Sequence, residues 1–183
     1  MLTLENIHKL LGQIKAKTNH DEFVIMGSLS ILGSAIKPPS KMTYSIDVDL
    51  YLKSDPNRHL EIAQVGEDSS FRVEHGYYAD PITPQLVSLP EGWEDRLVKK
   101  DFGDLSAYFL DPNDCAVSKY IRGQENDLRW VREGIKSNIL DLSKIERRLP
   151  TANCLDGEVA AARKLIEQDK RLLASSKSKD LGR

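Results

Sequence analysis

Two stretches, VIMGSLSILG at residues 24–33 and YSIDVDLYL at residues 44–52, decide how this chain is to be read. The first is an apolar run broken by Gly27-Ser28. The second alternates, so that Ile46, Val48, Leu50 and Leu52 point to one side and Ser45, Asp47, Asp49 and Tyr51 to the other. A strand, a tight turn, a helix and a second strand are expected, with Ser28 as a helix cap and the helix running to about Lys37 before Pro38-Pro39. Two carboxylates on one strand face lie about 6 to 7 Å apart. At an effective dielectric near 20 they repel by about 2 to 3 kcal/mol. Hydration of an exposed edge strand relieves that repulsion; so does a hard divalent cation, which binds carboxylate oxygens.

Working outward, Leu4, Ile7, Leu10, Leu11 and Ile14 recur at helical spacing and predict an amphipathic helix over Leu4 to Lys17, followed by a strand from Glu22 to Met26. Ser54-Asp55-Pro56 reads as a helix start, with the helix over His59 to Glu67. Phe71 to Glu74, Arg96 to Lys99 and Leu105 to Leu110 read as strands in a region punctuated by Pro81, Pro84, Pro90 and Gly92. From Asp111 the pattern turns helical, with helices expected over Asn113 to Arg122, Glu125 to Lys136, Leu142 to Leu149 and Gly157 to Ala174. The fold class is α/β (α+β), a mixed sheet flanked by helices and followed by a C-terminal helical bundle. The division expected is 1–110 for the sheet domain, 111–175 for the helical domain and 176–183 for a flexible tail.

At 183 residues and 40% hydrophobic, the chain buries a sizeable core. Its formal net charge of −2 gives no global pull toward polyanions, so any phosphate-rich ligand must meet a local basic patch. Cys115 and Cys154 are too few for a disulfide framework and are not spaced as zinc ligands. With an acidic, amphipathic N-terminus and no apolar run of roughly 20 residues, a soluble cytoplasmic protein is expected.

The Gly-Ser turn complements the acidic strand. Glycine lets the backbone approach a ligand, and the first amides of the following helix together with the Ser28 hydroxyl are donors suited to phosphate. Gly27-Ser28 at a strand-to-helix turn, followed about twenty residues later by Asp47-Val48-Asp49 on a strand, resembles the signature of the DNA polymerase beta type nucleotidyltransferase superfamily. The stretch LDPNDCAVSKYIRGQENDLRWV at residues 110–131 extends the likeness, since a helix bearing Lys119, then Arg122, then Asp127 resembles the minimal nucleotidyltransferases related to AbiEii-type toxins. An uncharacterised bacterial branch of these also holds a turn like LPEGWEDR, here Leu89 to Arg96. The likeness spans Phe23 to Val131.

The resemblance implies a nucleotidyltransferase fold and the transfer of a nucleoside monophosphate from a nucleoside triphosphate to an acceptor, with release of pyrophosphate. It implies Asp47 and Asp49 as ligands of one or two Mg2+ ions, Gly27 and Ser28 as the cradle of the β and γ phosphates, and Lys119 as the cation on the triphosphate. Asp127 would act as base or orient Lys119, and Arg122 would add a nucleotide contact. The acceptor implied is an RNA 3′ end such as tRNA, or a protein hydroxyl, and the toxin branch implies a cognate antitoxin. Glu74 and Asp80 are the candidates for a third carboxylate. Ser30 stands where the minimal form has an arginine two residues after the serine, and Lys41 is the nearest cation before the aspartates. A non-catalytic nucleotide-binding or protein-interaction module, and a small-molecule adenylyltransferase with an acidic acceptor pocket, are the competing readings.

Overall fold

The computed structural model describes residues 1–34 and 36–180 of the chain, with side chains to residue 173. The first helix, α1 (Leu4–Thr18), starts on a reciprocal cap in which Asn6 N–H donates to the Thr3 hydroxyl oxygen and Thr3 N–H donates to the Asn6 amide oxygen. It ends on Asn19 in the left-handed conformation. Ile7, Leu10, Leu11 and Ile14 form its buried stripe, as their spacing predicts.

Strands β1 (Glu22–Ile25), β2 (Asp47–Leu52), β3 (Tyr78–Pro81), β4 (Val98–Phe102) and β5 (Leu105–Phe109) form one mixed sheet in the order β3-β2-β1-β5-β4. β1 is antiparallel to β2 and parallel to β5, β2 is parallel to β3, and β4 and β5 form an antiparallel hairpin. The alternation read in the second stretch divides two cores. Phe23, Ile25, Val48, Leu50, Leu52, Ala107 and Phe109 pack with α1 on one face. Val24, Met26, Tyr51, Tyr108 and Leu110 pack with the C-terminal helices on the other.

Those helices are α4 (Pro112–Arg122), α5 (Glu125–Lys136), α6 (Leu142–Arg148) and α7 (Asp156–Asp180). α4 is entered through Asp111, whose carboxylate accepts from the Asn113 and Asp114 amides, with Pro112 at the first turn. Buried polar pairs pin it to its neighbours: Asp114 accepts from Arg96 at 2.8 Å and Arg148 at 2.9 Å, and Asp169, fully buried, accepts from the Tyr120 hydroxyl at 3.1 Å and from Arg132 at 2.7 Å. The helix expected to end at Ala174 continues in its backbone to Asp180, and Leu181 to Arg183 of the expected tail lie outside the described residues. No described helix is long and apolar enough to cross a membrane.

Four local expectations are corrected. The segment after the Gly-Ser turn is a 3-10 helix, Ser28–Gly33, not an α-helix reaching Lys37. Leu29 to Gly33 are buried all round, with Leu29 and Leu32 in one core and Ile31 in the other, and a Cβ on Gly33 would lie 2.3 Å from Phe109 Cβ. An α-helix with a single apolar stripe would not fill that slot. Ser54-Asp55-Pro56 does not open a helix: α2 is only His59–Ala63, and the Ser54 hydroxyl meets His20.

Phe71 to Glu74 is not a strand but part of α3 (Ser70–His75), capped by Ser69 and stopped by Gly76 in the left-handed conformation, because cap and stop signals outweigh the β-propensity of Phe71 and Val73. The strand of this region is β3, which ends on Pro81. As an edge strand β3 tolerates the proline: Tyr78 and Ile82 donate toward β2 while the alternate position, Ala79, donates away from it to Val65. Finally, β4 begins at Val98, and Arg96 closes a short 3-10 turn instead.

Candidate active site

The parallel register of β2 and β3 sets Asp49 opposite Asp80, with Asp47 two residues back on the same face. Ligand oxygens of Asp47, Asp49 and Asp80 lie within 4.8 Å of one another. No described cation forms an ion pair with any of the three, since the nearest ones are engaged elsewhere. Burial, reinforced by the charges of Asp47 and Asp80 and offset by those of Lys119 and Arg122, pushes the Asp49 carboxyl up to about 6. Burial, and then the charges of Asp47 and Glu67, raise Asp80 as well. Ser45 donates a short hydrogen bond to Asp47 and orients it.

Of the two candidates Asp80 joins this cluster and Glu74 does not, because α3 carries Glu74 to an exposed position beside His75. Asp80 was one of the two candidates the sequence offered, and the proline after it gave no sign of the strand that carries it.

The turn lies directly on this cluster. Gly27 adopts φ +57° and ψ −154°, a region essentially reserved for glycine, and a Cβ there would lie 1.7 Å from Asp49 Oδ2. The Gly27 carbonyl accepts from the Ser30 hydroxyl at 2.9 Å and the Cys115 thiol at 3.1 Å, which tie the turn to its own 3-10 helix and to α4. Ser30 is fully buried, so this position faces the core rather than a ligand. Ser28 caps nothing. Its oxygen accepts from Lys119 Nζ at 3.0 Å.

Lys119 is 3% exposed and donates to Asp127 Oδ1 at 2.9 Å, while Arg122 reaches the same oxygen at 2.6 Å from a half-exposed position. The Lys119 ammonium also lies 5.0 Å from the centre of the Trp130 ring. The pair is therefore a buried ion pair rather than a solvated one on a helix surface, and Asp127 Oδ2 is buried without a partner among the described residues. A cavity of about 100 Å3 is lined by Gly27, Asp49, Cys115, Lys119 and Arg122. Of the seven residues anticipated from the sequence, Gly27, Asp49, Lys119 and Arg122 line this cavity, while Asp47 clusters with Asp49, Ser28 accepts from Lys119, and Asp127 accepts from Lys119 and Arg122.

A larger groove of about 610 Å3 opens on the other side of Ser28 and Ser45, lined by Lys41, Arg129, Arg132 and Lys136 with Glu133 as the one acid. The other basic residues of the helical half do not form a continuous stripe, since Arg148 is held by Asp111 and Asp114, and Lys144 faces Asp141. Trp130 is a packing residue whose indole donates to the Met42 carbonyl at 3.1 Å, and its ring forms part of the groove.

Residues 2–169 match the model of a family described as "Nucleotidyltransferase of unknown function (DUF6036)". The chain belongs to this family. The match runs through both cores, from α1 to the Asp169 that pins α4, so this member of the family carries its acidic strand, Gly-Ser turn and buried lysine inside the shared region. Comparison with curated proteins and with solved structures gives no match.

The acidic cluster fits a divalent cation. It offers three hard oxygen ligands and holds uncompensated negative charge. Its oxygens all lie within 4.8 Å of one another, near enough to converge on one hard cation with small side-chain rotations.

Proposed function

We propose that the protein transfers a nucleoside monophosphate from a nucleoside triphosphate to an acceptor hydroxyl, using Mg2+ held by Asp47, Asp49 and Asp80. One observation carries this reading: Asp49, clustered with Asp47 and Asp80 and without an ion pair among the described residues, shares a cavity of about 100 Å3 with Gly27 and the buried Lys119. When bound, the cation supplies charge neutralisation at the α-phosphate and acidifies the attacking hydroxyl.

The rest falls to the side chains. Ser28 donates to a terminal phosphate oxygen once Lys119 turns from it toward the same chain, and Lys119 stabilises the charge that builds on pyrophosphate. Asp127 holds Lys119 in place, with Arg122 sharing the load. The acceptor oxygen forms its bond to the α-phosphorus as the α-β bridging bond breaks. Its proton leaves toward Asp80, on the edge strand, and pyrophosphate carries the electron pair away. Cations lining the groove beside Ser28 favour a polyanionic acceptor, so an RNA 3′ end such as tRNA is preferred to a protein hydroxyl. A toxin paired with a cognate antitoxin is the setting of this reading.

The test is incubation of the purified protein with each labelled nucleoside triphosphate, Mg2+ and total tRNA. Label is expected in the RNA with wild type and not with Asp49→Asn. Absence of incorporation with every triphosphate, together with equal triphosphate binding by the two proteins, defeats the reading.

A further inference from the structure

A further pocket lies along β2 from Asp49, and nucleotidyl transfer leaves it without a role. It holds about 320 Å3, at the lower end of the size of small-ligand sites, and is walled by Tyr51, Pro84, Val87 and Trp93, with Glu94 and Asn153 at its rim. Tyr51 stands two residues beyond Asp49 on the same face of β2, about 6 to 7 Å along the strand. Val87 lines both this pocket and the cavity at Asp49. The pocket is therefore within one nucleoside's reach of the transfer point.

Its polar groups are unspent. Tyr51 is 6% exposed, and among the described residues its hydroxyl has no hydrogen-bond partner. That oxygen is not among the buried orphan atoms, so it reaches the pocket's open space. Among the described residues Glu94 has no ion pair, and none of those lining the pocket is a cation. Apolar and aromatic walls accept a flat ring; a carboxylate that can only accept hydrogen bonds selects a ring edge that donates.

We infer that the pocket formed by Tyr51, Val87, Trp93 and Glu94 binds a nucleobase carrying an exocyclic amine, in preference to one without. Cytosine, adenine and guanine present that amine. Uracil has no exocyclic amine, and its single N3–H is flanked by two carbonyl oxygens that face Glu94 unfavourably. The inference rests on the nucleotidyl-transfer reading for its ligand class, and the base could belong to the donor triphosphate or to the terminal nucleotide of the acceptor.

Free nucleosides separate the pocket from the transfer chemistry, because they carry no phosphate for Ser28 or Lys119 and need no Mg2+. In the full chain, cytidine and adenosine are expected to shift the indole N–H resonance of Trp93 and to bind about 10-fold more tightly than uridine. Glu94→Gln should abolish that preference, and Tyr51→Phe should weaken binding several-fold with an unchanged melting temperature. If Glu94→Gln lowers selectivity among triphosphates with no acceptor present, the base is the donor's. If it leaves triphosphate binding unchanged and raises the KM for RNA ending in C or A, the base is the acceptor's. A preference that persists in Glu94→Gln, or nucleosides that leave Trp93 undisturbed, overturns the inference. Loss of transfer with nucleoside binding intact would instead remove the transfer reading alone.

Discussion

Gly27 and Asp49 touch because residue 27 has no side chain: a Cβ there would lie 1.7 Å from Asp49 Oδ2. The contact brings the Ser28 hydroxyl and the acidic strand to one point, and it also sets the backbone at φ +57°, which any other residue adopts at a cost. Gly27→Ala is therefore expected to lose about 2 kcal/mol or more of stability, from strain plus the displaced carboxylate, and to lose most of the transfer rate. Urea unfolding and label incorporation measure the two losses. A variant as stable and active as wild type would break the link between turn and strand.

Asp49 links stability to pH. Its folded pKa is raised from 3.8 to about 6, so the folded state binds more protons than the unfolded state between those values. Stability from this group is fully present below about pH 4, falls as pH rises through 6, and is gone above it. Asp49→Asn should then be more stable than wild type at pH 8, by on the order of 2 kcal/mol, and nearly equal to it at pH 4. Mg2+ should raise the melting temperature of wild type at pH 8 and leave that of Asp49→Asn unmoved. Equal melting curves across this range would contradict the crowding of the three carboxylates.

Lys119 tests whether the buried ion pair is functional or only structural. Lys119→Met leaves Asp127 buried with only the half-exposed Arg122 as partner, at a cost of about 3 kcal/mol. Lys119→Met combined with Asp127→Leu removes both charges and should recover most of that stability while transfer stays about 100-fold or more below wild type. Recovery of activity along with stability would assign the pair to folding alone.

The groove beside Ser28 is tested through Arg129 and Lys136, which line it without belonging to the acidic cluster. Reversing both to glutamate should raise the KM for an RNA acceptor about 10-fold or more at low salt and flatten its dependence on ionic strength. The melting temperature should stay close to that of wild type, since both side chains are exposed. An unchanged KM would move the acceptor away from this groove.

Much of the fold was legible where the signal was local. α1, α4 and α5 show their period and their ends in the sequence, and the alternation in β2 places Asp47 and Asp49 on one face without any tertiary information. Errors fell where neighbours override local preference. Ser28–Gly33 is squeezed between two cores, Ser70–His75 carries β-formers inside a capped helical turn, and Pro81 is acceptable only because β3 is an edge strand.

By itself the sequence determined the identity of the chemical parts and their order: a glycine-serine turn, paired aspartates two apart, and a lysine followed by an aspartate across a helix break. These depend on backbone periodicity and residue chemistry, which act over a few positions. Only the tertiary structure decided that Asp80 completes the acidic cluster, that Lys119 is buried against Asp127 and Ser28, and that Tyr51 and Glu94 share a pocket beside it. Strand register between β2 and β3 and the docking of α4 on the sheet are set by packing between residues distant in the chain, and no local pattern specifies which of those residues meet.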